Sequence, residues 1–230
     1  MPSGNAWQWI VDGFRLFQRN PWIWMLTWIV VAVIIYIVSR IPGVGSLALT
    51  LLLPVLAGGL MLGCDAQMRG EPLEIAHLFA GFRSKTSSLV LVGLLSLVGS
   101  ILIGLVAGIL IGFSVFAALL SGGGIGAMGA SAVTVLLGLL VALGLSILLT
   151  MAIWFAPALV VFHDLQPMDA MKQSFQGCLR NIVLFLIYGI IIVTIGVLAL
   201  IPAGLGWLIW GPTLVASIYT SYRDIFIRPA

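Results

Sequence analysis

The chain has 230 residues, 62% hydrophobic and 7% charged, with a formal charge of +3 and a mean hydropathy of +1.24. A soluble domain carries about a quarter charged residues, so this chain cannot cover a water-facing surface and lipid must cover most of it. The small positive excess does not point to nucleic acid, because the basic residues stand at the ends of apolar runs, where Lys and Arg fix membrane topology.

In chain order, the first charged patch is Asp12, Arg15 and Arg19, inside WQWIVDGFRLFQRNPW at 7–22. Trp7, Ile10, Val11, Phe14 and Phe17 approximate an i, i+3, i+4 stripe, so residues 7–19 are expected to form an amphipathic helix along the membrane surface. The first apolar run begins near Pro21, after two arginines and with no A-x-A-like site behind it, and reads as a retained span. Crossing a bilayer core takes ~20 apolar residues in helix. Six runs qualify or nearly qualify, at about 22–39, 44–64, 88–119, 131–162, 181–200 and 203–222. They do not alternate apolar with polar residues, so helices rather than barrel strands are expected. The fold class is therefore all-α: a polytopic membrane protein with six transmembrane helices, in a single membrane domain over 1–230.

The later patches are Asp65, Arg69, Glu71, Glu74, Arg83 and Lys85; then Asp164, Asp169, Lys172 and Arg180; then Arg223, Asp224 and Arg228. Only Arg40 stands elsewhere. Six spans put all four patches on one side, with nine basic residues against Arg40 on the other. Basic loops stay cytoplasmic, so both termini are expected in the cytoplasm. The outer connections are Pro/Gly turns at 40–46 (RIPGVGS) and 200–206 (LIPAGLG), and a Gly-rich one at 121–131.

Three repeat units are expected, at 7–66, 71–162 and 166–226, each an interfacial helix followed by a transmembrane hairpin. Gly13-Phe14-Arg15 echoes Gly81-Phe82-Arg83, Arg19-Asn20 echoes Arg180-Asn181, and Pro72-Leu73-Glu74 echoes Pro167-Met168-Asp169. The second helix of each pair carries a proline, Pro54, Pro157 or Pro212, which should kink it and free a carbonyl. In the third and fourth spans small residues recur every four positions: Ser96, Ser100, Gly104, Gly108 and Gly112, then Gly138, Ala142, Ser146 and Thr150. Such faces let helix backbones approach closely, either between these two sequential spans or between copies in a homo-oligomer. Both spans are long: thirty-two residues reach about 48 Å against a core of ~30 Å, so they must tilt, bend or project. Trp22, Trp24, Trp28, Trp207 and Trp210 fit an aromatic belt at the two interfaces.

No Asp, Glu, Lys, Arg or His stands at the middle of a span, which argues against proton or sodium coupling through acidic groups. The polar clusters lie beside the spans: Cys64, Asp65, Gln67, Arg69, Glu71, Glu74 and His77 in one, His163, Asp164, Gln166, Asp169 and Lys172 in the other. Their spacing matches no metal pattern, nucleophile elbow or phosphate loop, so no metal, cofactor or catalytic residue is expected. An enzyme would need His77 or His163 to converge with Asp65 or Asp164 in a cleft.

The stretch APALVVFHDLQPMDAMKQSFQGCLRNIVLFLIYGI (156–190), with SIYTSYRDIF (217–226) and GFRLFQRNPWIW (13–24), resembles a family of uncharacterised proteobacterial inner-membrane proteins. These look distantly related to YciC-type proteins and to the membrane domain of glycerophosphodiester phosphodiesterases. The shared pattern is an apolar helix ending in a proline, an acidic turn, and a short P-x-x-A-x-x-x-S helix, here Pro167, Ala170 and Ser174. The resemblance implies a six-span inner-membrane protein and brings no catalytic residues with it.

The function read from the sequence is non-catalytic: a scaffold, assembly or lipid-organising module whose cytoplasmic collar meets headgroups or a partner protein. Arg15, Arg19, Arg83, Lys85, Lys172 and Arg180 would bind anionic headgroups, each adding about 1 kcal/mol near a charged surface. The alternative is an uncoupled transporter or channel for a small molecule, with Pro54, Pro157 and Pro212 marking flexible helices around a path.

Overall fold

The computed structural model describes residues 5–120 and 125–227, with side chains described from Ala6 to Leu120 and from Ser131 to Ile227. Most of the Gly-rich turn, and Arg228, lie outside them. Among the described residues every regular element is helical. In order these are α1 (Asn5–Arg19), α2 (Pro21–Ser39), α3 (Gly45–Met68), a 3-10 turn (Ile75–Phe79), α4 (Gly81–Ser84), α5 (Thr86–Leu120), α6 (Ile125–Trp154), α7 (Ala156–His163), α8 (Pro167–Arg180), α9 (Ile182–Leu198), α10 (Trp207–Tyr222) and a π-turn (Arg223–Ile227).

Among the described residues four stretches are long and apolar enough to cross a membrane: Pro21–Ser39, Gly45–Met68, Thr86–Leu120 and Ser131–His163. A fifth arises if α8 and α9 are taken together, although they meet at a 90° bend. The last two expected spans are shorter than the sequence implied. α9 has 17 residues and α10 has 16, roughly 26 and 24 Å of helix. The turn between them takes the difference. It runs through Pro202, and Ala203 (φ 53) and Gly204 (φ 81) are both left-handed.

α3 instead runs four residues past its expected end. The Glu71 amide donates to the Ala66 carbonyl and the Gly70 amide to that of Gln67. With Gly70 at φ 89 this is a Schellman stop. Asp65 and Gln67 therefore sit on the last turns of a helix, not in a loop.

The described residues form two compact units. In the unit made of residues up to Leu94 and from Ala152 onward, the proline-bearing helices make the core. α3 packs on α7 and on α10, and Phe162 of α7 stacks on Tyr222 of α10 at 5.5 Å. Val55, Ala158 and Thr213, each directly after a proline, are at most 2% exposed. Pro54 and Pro212 lie inside continuous helices, whereas the helix breaks at Phe155, two residues before Pro157. Proline lacks an amide and crowds the preceding turn. The Phe155 amide finds a substitute acceptor in the buried Ser174 hydroxyl of α8, at 2.9 Å.

Onto each proline-bearing helix docks one of the segments expected at the membrane surface. α1 packs along α10, the 3-10 turn and α4 pack on α3, and α8 packs on α7. Two of these crossings depend on the absence of a side chain. A Cβ on Gly13 would stand 2.6 Å from the Ser217 amide nitrogen, and one on Gly81 would overlap the Val55 carbonyl. Gly13 and Gly81 are the residues that echoed each other in the sequence.

The second unit, Leu95–Met151, holds most of α5 and α6. Their contact runs through Gly99 against Leu149 and Gly138 against Ile111. Gly138 is buried and Ala142 half-buried, but Ser100, Gly104, Gly108, Gly112 and Ser146 are exposed. Among the described residues a Cβ on Gly104, Gly108 or Gly112 would meet nothing within 4 Å. The four-residue ladder of α5 is thus not its seam with α6. Ile103, Ala107 and Ile111, one residue before each of those glycines, are the half-buried ones. The Ser100 and Ser146 hydroxyls bond the carbonyls four residues back in their own helices.

Candidate membrane-surface site

α1 is amphipathic, but its buried face is rotated from the expected stripe. Ala6, Trp9, Ile10, Gly13, Leu16 and Phe17 are buried, while Trp7 and Phe14 are 55% and 39% exposed. The close approach of Gly13 to α10 sets this rotation. The 3-10 turn with α4, and α8, also leave large apolar side chains exposed: Phe79 and Phe82 in the first, Met168 and Leu179 in the second.

Five of the six cations expected on this surface are exposed: Arg15, Arg19, Arg83, Lys172 and Arg180. Lys85 is half-buried and its ammonium pairs with Asp164. Arg15 pairs with Asp12 at 3.0 Å, and Arg19 donates to the Gln67 carbonyl at 2.7 Å.

The contacts join all four charged patches. The Tyr219 hydroxyl of α10 donates to Asp65 of α3 at 2.7 Å, and Arg69 holds the other carboxylate oxygen at 3.0 Å. The Trp9 indole of α1 donates to Asp224 at 2.8 Å, and the Thr220 hydroxyl returns a bond to the Trp9 carbonyl. The Trp24 indole of α2 donates to the buried Gln67 side chain at 3.0 Å. Lys85 and Asp164 tie the second patch to the third. Deeper, the Ser217 hydroxyl gives its proton to the Leu214 carbonyl, so Tyr188 must be the donor in their 2.6 Å bond.

Two clefts open among these groups. The larger, about 490 Å³, lies between α1 and the end of α10 and is lined by Gln8, Trp9, Asp12, Arg15, Leu16, Arg19, Met68, Thr220, Arg223 and Asp224. The smaller, about 280 Å³, shares Arg19 and adds Asn20, Gln67, Gly70, Glu71 and Pro72. His77 Nδ1 accepts the Glu74 amide in a reciprocal cap, and His163 lies edge-on to Tyr222. Among the described residues no group of three His, Cys, Asp or Glu could hold a metal. Cys64 and Cys178 are both buried as free thiols.

Of the tryptophans, Trp22 is exposed, as a belt residue would be. Trp24 is 1% exposed, Trp210 is 5%, and Trp28 lies tight on Gly211. These three serve packing instead. Sequence reading missed Trp9 and Tyr219 as members of the polar end. A signal was available in the recurring Pro-x-Leu of Pro54–Leu56, Pro157–Leu159 and Pro212–Leu214, which marks the three core helices. The P-x-x-A-x-x-x-S residues prove structural: Pro167, Ala170 and Ser174 are all buried in α8.

A probable inner membrane protein of Burkholderia thailandensis is 31% identical to the chain over 201 residues, covering 81% of this chain and 72% of that protein. No protein-family model matches the chain, and no solved structure does.

Proposed function

The chain belongs to the same family as that Burkholderia thailandensis protein, and from this premise we propose that it is a non-catalytic protein of the bacterial inner membrane, organising lipids or partner proteins through a cytoplasmic collar. In this reading α2, α3, α5, α6 with α7, α9 and α10 are six spans, the termini are cytoplasmic, and the three interfacial segments with their hairpins are repeats. The likeness to YciC-type proteins and to the phosphodiesterase membrane domain belongs to the same reading. Support for the repeats comes from the docking of each interfacial segment on a proline-bearing helix.

The observation that carries the function is the composition of the collar surface. Each interfacial segment combines exposed cations with exposed large apolar side chains: Arg15 with Phe14, Arg83 with Phe82, Lys172 and Arg180 with Met168 and Leu179. That pairing suits the headgroup and acyl boundary, where apolar groups enter the lipid and basic groups meet its phosphates.

The test uses purified protein in nanodiscs of mixed phosphatidylglycerol and phosphatidylcholine. Wild-type protein is expected to enrich phosphatidylglycerol around itself, and the variant Arg83→Gln/Lys172→Gln/Arg180→Gln to lose most of that enrichment. Each cation contributes about 1 kcal/mol. A variant with wild-type enrichment would refute the collar. Water-accessible labelling of single cysteines at the middle of α3, α7 and α10 would favour a transport path instead.

A further inference from the structure

We propose that the cleft between α1 and the end of α10 is a discrete site for one phosphate ester anion, recognised by Arg15, Arg19 and Arg223. This rests on the collar reading and sharpens it, from a diffuse basic surface to a single bound group. The cleft's volume of about 490 Å³ falls within the ~300–1,000 Å³ of ligand pockets. Three guanidinium groups and two carboxylates line it, and the carboxylates are already engaged. Asp224 accepts the Trp9 indole at 2.8 Å. Asp12 accepts from Arg15 at 3.0 Å and from Gln8 at 3.1 Å.

Arg19 and Arg223 take part in none of the ion pairs seen among the described residues. Arg19 spends one nitrogen on the Gln67 carbonyl, which fixes its position and leaves the rest of the fork unbonded among the described residues. Arg223 extends from the first residue of the π-turn, its guanidinium 6.0 Å from the Tyr219 ring centre. A guanidinium fork matches phosphate oxygens in pairs, and a fixed fork loses less freedom on binding than a mobile one. The lining also has an apolar side, Leu16 and half-exposed Met68, against which a glycerol moiety can rest. The chemistry fits a phosphodiester such as a phosphatidylglycerol headgroup, and equally a soluble phosphate ester.

The experiment measures saturable binding of dioctanoyl phosphatidylglycerol to the purified full chain in a neutral detergent, with dioctanoyl phosphatidylcholine as the control. One phosphatidylglycerol per chain is expected, with no displacement by the choline lipid. Arg15→Gln/Arg223→Gln leaves the Arg19–Gln67 bond alone and should weaken binding ~25-fold, about fivefold for each charge removed. Asp12→Asn removes the competing carboxylate and should tighten binding about fivefold on the same scale, a gain that misfolding cannot imitate. Wild-type affinity in the double arginine variant, or no gain with Asp12→Asn, would overturn the site. Displacement by inorganic phosphate at matching concentrations identifies a soluble ester as the natural occupant; resistance to it identifies the lipid. Arg83→Gln/Lys172→Gln/Arg180→Gln should keep this single site while losing the surrounding enrichment, so failure of the cleft and failure of the collar give different patterns.

Discussion

Gln67 is 1% exposed yet accepts two hydrogen bonds from different helices, one at its side chain from Trp24 and one at its carbonyl from Arg19. Losing the side-chain acceptor orphans a buried indole N–H, which costs about 1–3 kcal/mol. Gln67→Leu should therefore lower the thermal unfolding midpoint in detergent, and adding Trp24→Phe should recover part of the loss, because removing both partners is nearly neutral. Equal midpoints for the single variant and wild type would mean the bond contributes nothing. Tyr219→Phe is predicted to cost about 1.5–3 kcal/mol in the same assay, since its hydroxyl serves the Asp65 carboxylate. None of these pairs could be read from the sequence. Trp24 looks like any interfacial tryptophan, and its partner lies 43 residues away. The cations were legible because charge is so scarce in this chain that each position is informative.

Among the elements, the contrast between glycines is the most informative. Gly13 and Gly81 sit where another backbone touches them, whereas Gly104, Gly108 and Gly112 face open space. Gly13→Leu should cost about 1–3 kcal/mol or more by overpacking against Ser217. Gly108→Leu should change stability by no more than ~0.5 kcal/mol. Folded yield and unfolding midpoint report both, and a large loss from Gly108→Leu would show that a second copy covers the α5 ladder. The sequence placed the small residues at helical spacing but could not say which way the helix turns. In α1 the same ambiguity shifted the apolar stripe from Trp7 and Phe14 to Trp9 and Leu16. Apolar side chains that face lipid and those that face protein look alike in a membrane chain, so periodicity there loses its usual meaning. Helix stops are more legible: Gly70 after Arg69 is a recognisable stop for α3, whose last residue, Met68, lies four residues beyond the end of the apolar run at Cys64.

For the whole molecule, 7% charge among 230 residues makes lipid the main solvent. The sidedness read from charge rests on it, and Asp65–Tyr219, Trp9–Asp224 and Lys85–Asp164 link the segments that carry the patches. The core of three proline-bearing helices was only half visible. Proline in a span implies a kink, yet two of the three lie in unbroken helices. Their common property is burial, and burial among apolar residues leaves no mark in composition.

The sidedness of the collar is the central claim, and cysteine labelling measures it directly. In a background carrying Cys64→Ala and Cys178→Ala, both buried positions, single cysteines replace Arg40, Arg83 or Lys172, and intact spheroplasts are treated with a membrane-impermeant maleimide. The cysteine at position 40 is predicted to label in intact cells, and those at 83 and 172 only after the membrane is permeabilised. Labelling of all three from the same side would contradict the account.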